Sequence, residues 1–355
     1  MINSIVYIIV FSVSLIIGVF LNRFFLNRSN KFIVKKANKE AVRFASQSKP
    51  IFGGITFYSV FFVAMLSFMF ISGFNNSVPK EYICLFITIT MAFFMGLADD
   101  IISTPPIFKF IIQFAIAAIF IFSDIYIVIS PYTILNYTIT VLWVVGIMNS
   151  INMLDNMDSI TNLTALGIIA GATVYSFLTN GVDLNFISFV TIASVGAMLS
   201  FLIYNWNPAK MYMGDSGSQF LGTLLAFIGI LYLWNSVPIA DYSYGYNTKQ
   251  IIIVALAFVI PISDTTTVTI NRLLKKKSPF VGGRDHTTHF LAYLGVHERW
   301  IAILYFSLTI GGNLIAYYLI GNKSEWNTNL FWLYTLIPFT IFILLYINTK
   351  ITKPK

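Results

Sequence analysis

The stretch Tyr82-Ile-Cys-Leu-Phe-Ile-Thr-Ile-Thr-Met-Ala-Phe-Phe-Met-Gly-Leu-Ala-Asp-Asp100 decides how this chain is read. An uncharged run from Tyr82 to Ala98 ends at once in two adjacent carboxylates. Such a run approaches the ~20 residues that cross a hydrocarbon core and is far longer than a typical strand. Working outward from it, apolar stretches of similar length recur near residues 4–26, 53–73, 82–98, 107–123, 132–150, 161–178, 186–204, 217–236, 250–270, 300–320 and 329–348. The pattern predicts an all-α, polytopic transmembrane protein of eleven spans forming one membrane domain over residues 1–355.

Composition agrees: 57% of the 355 residues are hydrophobic and 10% charged, with a mean hydropathy of +0.79. These values exclude an ordinary soluble domain. The first apolar stretch has no basic region before it and no small-residue cleavage site after it, so it reads as a retained span. The single cysteine, Cys84, lies inside a span, which excludes an internal disulfide and a cysteine-based metal cluster.

A net charge of +8 raises nucleic acid as a partner, but the placement of the cations argues topology instead. With the N-terminus outside and the C-terminus cytoplasmic, only Lys80, Lys249 and Lys323 of the 22 Lys and Arg residues fall outside. That bias predicts the orientation of the chain in its membrane and leaves no nucleic-acid partner to be explained. The basic runs Lys31 to Lys39 and Lys275 to Lys277 are expected at lipid headgroups.

Carboxylates near hydrocarbon are costly and mark candidate sites. Asp99, Asp100, Asp155, Asp158, Asp215, Asp264 and Asp285 all fall at or near the predicted cytoplasmic span ends, in loops 27–52, 99–106, 150–160, 205–217 and 271–298 or beside them. Paired acids at Asp99 and Asp100 repel unless a cation lies close. Between Asn149 and Asp158, polar residues Asn149, Asn152, Asp155 and Asp158 recur every third position, which suits one helix face. Their amides and carboxylates can hold a base, a sugar or a divalent cation. Met213-Gly-Asp-Ser-Gly-Ser218 opens a span, so its amides and hydroxyls suit phosphate oxygens around an Asp215-bound cation; the alternative is that Asp215 and Ser216 merely cap the helix. Asp264 is read as partly buried, with a purely structural carboxylate as its alternative. Gly282-Gly-Arg-Asp-His-Thr-Thr-His289 is rich in phosphate-binding groups, with Arg284, His286 and His289 as candidates and a zinc site as the lesser reading. His297 reads as an ordinary loop residue, and Gly167 with Gly171 as helix packing.

Taken in order, Pro50-Ile-Phe-Gly-Gly54, Asp99-Asp100, Asn149 to Asp158, Met213 to Gly222, and Pro261 to Arg272 followed by Ser278-Pro-Phe280 and the histidine loop resemble the polyprenyl-phosphate N-acetylhexosamine-1-phosphate transferases of glycosyltransferase family 4. The resemblance covers nearly the whole chain. It implies a Mg²⁺-dependent phosphoglycosyltransferase, with Mn²⁺ as a substitute, that moves an N-acetylhexosamine-1-phosphate, GlcNAc-1-phosphate foremost, from a UDP-sugar to undecaprenyl phosphate. UMP would leave, and the lipid product would start a cell-envelope glycan such as cell wall or lipopolysaccharide. Under the resemblance Asp215 and Asp99 are the expected metal ligands. Asp99, Asp100, Asp155 and Asp158 are the expected catalytic acids, and Asn152, Asp264, Arg284, His286, His289 and Lys49 bind substrate. The expected partners are the two substrates and membrane lipid, with a homodimer as the oligomer to test.

Two departures stand out. The family has Gly-Leu between the acids of its third motif and Gly after them, where this chain has Asn156-Met157 and Ser159. A further family histidine is replaced by Phe290. The run of consecutive histidines typical of the branch that takes UDP-MurNAc-pentapeptide is absent, so a simple amino sugar is expected, with the pentapeptide donor as the alternative. A secondary transporter is the rival from another class; it would place carboxylates nearer the bilayer midplane.

Overall fold

The computed structural model describes residues 2–28, 49–73, 78–180, 184–236, 246–279, 282–322 and 326–353. The Lys31 to Lys39 run, most of loop 27–52, Lys323, Phe280 and Lys355 lie outside the described residues. The described chain is helical: α1 (Ile2–Arg28), α2 (Gly53–Ser72), α3 (Lys80–Ile102), α4 (Pro106–Phe122), α5 (Thr133–Leu154), α6 (Ile160–Asn180), α7 (Phe186–Asn205), α8 (Gly214–Gly229), α9 (Tyr246–Ala257), α10 (Val259–Leu274), α11 (Thr287–Tyr293), α12 (Glu298–Gly321) and α13 (Thr328–Ile351). A π-helical turn, Ile230–Trp234, extends α8.

All eleven predicted stretches are helices, though not all are simple spans. Among the described residues nine helices are long and apolar enough to cross a membrane, and α9 with α10 makes a tenth only as a pair bent by 88°. The remaining stretch, α4, is a shorter apolar helix. The chain is a multi-pass membrane protein.

The bend has a chemical cause. Pro261, in the first turn of α10, has no N–H to offer the carbonyl of Ala257. That carbonyl accepts instead from Asn313 Nδ2 of α12 at 3.2 Å, so the broken helix leaves no orphan acceptor there. Pro261 in turn receives the Ser150 hydroxyl on its own carbonyl at 2.8 Å, which ties the bend to the end of α5.

α8 is the axis of the bundle. It packs on α3, α5 and α2, and 89% of its apolar window is buried, against 17% for α1 and 6% for α13. The outer helices therefore present Leu and Phe faces to lipid, while α8 is enclosed by protein. Pro50 to Gly54 runs beside the residues before α8: Ile51 and Tyr212 form a parallel bridge, and the amides of Gly53 and Gly54 donate to the carbonyls of Tyr212 and Met213. Space there is tight. A Cβ on Gly54 would meet the Gly217 amide at 2.3 Å, and one on Gly96 would meet the Asp215 carbonyl at 2.3 Å.

Candidate functional site

Three helices meet at the start of α8. Asp99 and Asp100 end α3, Lys109 lies in the first turns of α4, and Asp215 is the second residue of α8. Asp99 Oδ1 accepts from the Thr104 amide at 2.8 Å and its hydroxyl at 2.7 Å. The other oxygen, Oδ2, lies 2.6 Å from Lys109 Nζ. Asp215 Oδ2 lies 2.7 Å from the same ammonium, while Asp215 Oδ1 receives Asn152 Nδ2 at 3.1 Å. Two carboxylates from different helices thus turn one oxygen each toward a single point at the edge of the protein.

Asp100 is used differently. It accepts from the amides of Asp215 at 2.8 Å and Ser216 at 3.0 Å, and from the Ser216 hydroxyl at 2.7 Å. It is the anionic cap of α8, supplied by α3. The expectation that the amides of Asp215 and Ser216 face a phosphate is therefore corrected, because a carboxylate of the chain already occupies them. Gly214 permits this contact: its φ is +74°, and a Cβ there would sit 2.6 Å from Asp100 Oδ2.

A second cluster lies under the histidine loop. Asp264, on α10 and 1% exposed, accepts from the Thr287 amide at 2.8 Å and the Thr287 hydroxyl, and faces His286 Nδ1 at 2.8 Å. The Thr287 hydroxyl also meets Tyr305 of α12 at 2.7 Å. The His286 amide donates to His289 Nδ1 at 3.3 Å, closing a capping box on α11. His286 and His289 are both buried. Burial, helped by the neighbouring His286, pushes His289 down to about 3, so its ring is neutral through the physiological range. Arg272 holds Asp285 through two bonds of 2.8 and 2.7 Å. Burial alone would raise the Asp285 carboxyl, but the guanidinium outweighs it and keeps the group below the ordinary carboxylate range. Arg284 is exposed on the same loop.

The end of α5 links the clusters. Asn152 donates to Asp215 and, at 2.9 Å, to Ser218. Four residues on, Asn156 Oδ1 accepts from Thr288 of α11 at 2.7 Å. Asp155 caps the end of α5 between them. Asp158 faces elsewhere: its Oδ2 accepts from the Ala209 amide at 2.8 Å and Asn207 Nδ2 at 3.2 Å, and the Asn207 amide also reaches Glu298 at 2.7 Å. Asp158 therefore anchors the 205–211 turn instead of sharing a face with Asp215. Ser159 has φ +67°, so this serine keeps the left-handed backbone that a glycine adopts readily. Lys49 lies outside both clusters, with its ammonium 5.6 Å from the Tyr212 ring.

Lys109 and Gln113 escaped the sequence reading of the site. Gln113 accepts from Asn149 at 2.7 Å and donates to Gln219 at 3.2 Å. The signal was there: Lys109 and Gln113 stand four apart and are the polar pair of an otherwise apolar helix.

An apolar cavity of about 370 Å³, partly open, lies between α5, the π-helical turn and the α9–α10 bend. Trp143, Ile147, Trp234 and Ile262 line it, and Ser150 and Thr265 reach into it. The Thr265 hydroxyl donates to that of Ser150 at 2.7 Å, so these two polar groups of the lining are paired with each other.

The profile of glycosyl transferase family 4 matches residues 82–233, from α3 through the π-helical turn. A probable undecaprenyl-phosphate N-acetylglucosaminyl 1-phosphate transferase of Bacillus subtilis is 28% identical over 267 residues, 73% of this chain and 69% of that protein. Phospho-N-acetylmuramoyl-pentapeptide-transferases of Staphylococcus haemolyticus and Staphylococcus carnosus are 33% and 32% identical, each over 51% of this chain and 62% of their own length. The matched region thus spans less than two thirds of the pentapeptide transferases.

Proposed function

We propose that this chain, whose residues 82–233 match glycosyl transferase family 4, transfers an N-acetylhexosamine-1-phosphate, GlcNAc-1-phosphate foremost, from a UDP-sugar to undecaprenyl phosphate at the cytoplasmic face of a bacterial inner membrane. The observation that carries this reading is the pair Asp99 Oδ2 and Asp215 Oδ2, aimed from two helices at one point. Paired carboxylates at the end of membrane-length helices suit a charged headgroup whose apolar tail stays in lipid.

In the reaction an oxygen of the lipid phosphate forms a bond to the β-phosphorus of the UDP-sugar, and the bond from that phosphorus to the α,β-bridging oxygen breaks, releasing UMP. A phosphate monoester with a second pKa of about 6 is already largely ionised at neutral pH, so positioning outweighs proton removal. Among the described residues no three His, Cys, Asp or Glu side chains converge as a complete metal-binding set. Two carboxylates are nonetheless the protein share that Mg²⁺ takes at phosphate-transfer sites, where substrate oxygens and waters complete the shell. Asp99 and Asp215 fit that share and are the residues that would hold the ion; when bound, it would neutralise the diphosphate. Asn152 orients Asp215, Asp100 fixes the backbone beneath it, and Arg284 supplies an exposed cation for a phosphate. Asp264 and the buried histidines support the loop that carries Arg284.

The donor is tested by UMP release from purified protein in detergent with undecaprenyl phosphate and Mg²⁺, comparing UDP-GlcNAc with UDP-MurNAc-pentapeptide. Lipid-dependent UMP from UDP-GlcNAc supports the reading. UMP from the pentapeptide donor alone moves the chain to the other branch, and silence with every UDP-sugar sinks the transferase reading.

A further inference from the structure

We propose that Lys109 and a divalent cation are alternative occupants of one position, the point on which Asp99 Oδ2 and Asp215 Oδ2 converge. The inference rests on the metal assignment above and adds a competitor built into the chain.

The second oxygen of each carboxylate is already engaged, Asp99 Oδ1 by Thr104 and Asp215 Oδ1 by Asn152. The Oδ2 pair is the face left for a cation, and both members lie within 2.7 Å of Lys109 Nζ. Mg²⁺ or Mn²⁺ bridging those oxygens at about 2.1 Å would stand almost on the ammonium. Two positive charges cannot share that spot, so metal entry requires Lys109 to leave.

The lysine is built to do so. Its ammonium rides on a flexible four-carbon stem from the first turns of α4, with its side chain 21% exposed, so an outward swing breaks no backbone bond. Before metal arrives, Lys109 keeps two facing carboxylates from repelling each other and holds α3, α4 and α8 together. Once displaced, it becomes a cation at the rim of the site, free to meet a substrate phosphate. Metal loading and the unmasking of Lys109 are one event.

The test measures Mn²⁺ affinity by electron paramagnetic resonance on detergent-purified full-length protein without substrate. Lys109→Met, which removes the competing charge, should bind Mn²⁺ about tenfold more tightly or better. Lys109→Arg should stay near wild type, and Asp215→Asn should lose binding. Equal or weaker binding by Lys109→Met, with binding still lost in Asp215→Asn, would overturn the competition and leave the metal assignment standing. Wild-type affinity in Asp215→Asn would remove the metal assignment itself and this inference with it. Should Lys109→Met fail to fold, acylation of Lys109 in the wild-type protein, followed by mass spectrometry, must rise on adding Mn²⁺; unchanged acylation contradicts the displacement.

Discussion

At the junction of α3, α4 and α8, Asp99 and Asp215 each leave one oxygen on a partly exposed ammonium, whereas under the histidine loop Asp264 spends both oxygens on groups sealed from solvent. The first arrangement is held by a long, mobile cation and can be re-formed around another one. The second is held by a backbone amide, a hydroxyl and a buried ring, and exchanging any of them would strand a buried charge. On the proposed function, chemistry belongs to the first and framework to the second. Asp100 and Asp158, each held by backbone amides of a neighbouring segment, group with the framework on the same reading.

The contrast breaks most sharply under isosteric substitution. Asp99→Asn and Asp215→Asn should each lower the rate of UMP release by on the order of a thousandfold, the scale of losing an electrostatic group at a phosphoryl centre, with the detergent melting temperature little changed. Asp264→Asn should do the reverse, costing about 2–3 kcal/mol of stability because the buried bonds to Thr287 and His286 lose the charge that strengthens them. A large loss of activity without a shift in melting temperature in Asp264→Asn would place Asp264 in the chemistry instead.

Acid sharpens the same line. His289 binds a proton near pH 6.5 in the unfolded chain but only near 3 when folded, so the unfolded state takes up protons first. The stability this ring contributes is present above about pH 6.5 and is lost as pH falls toward 3, by up to about 1.4 kcal/mol per pH unit. Melting scans from pH 7.5 down to 5 should show the decline, and His289→Asn should flatten it. The smallest effect belongs to Lys80–Asp124, an ion pair as short as the Lys109 contacts at 2.7 Å but with both side chains more than 70% exposed. Asp124→Asn should leave both melting temperature and UMP release unchanged, since solvent screens the pair.

The helices were legible because uncharged runs of membrane length allow few other structures, and the carboxylates because they are rare in such runs. What stayed hidden depended on contacts between distant segments. The Asn149-to-Asp158 spacing suggested one helix face, but α5 ends at Leu154, so Asn152 turns to Asp215 while Asp158 turns to the 205–211 turn. The stretch near 250–270 read as one span, yet it bends by 88° where Asn313 of α12 takes the carbonyl that Pro261 leaves free. Lys109 was visible only as one cation among those that set topology. Its role appears when α3 and α8 bring Asp99 and Asp215 to it.

On the proposed function, phosphorus passes from the UDP-sugar to the lipid at the Asp99–Asp215 junction. UDP-GlcNAc labelled at the β-phosphorus, incubated with the protein, undecaprenyl phosphate and Mg²⁺, tests it directly. Label should reach the lipid fraction in equal amount to the UMP released, with neither seen in Asp215→Asn. Label remaining in a water-soluble sugar phosphate, or UMP released without the lipid, would overturn that route.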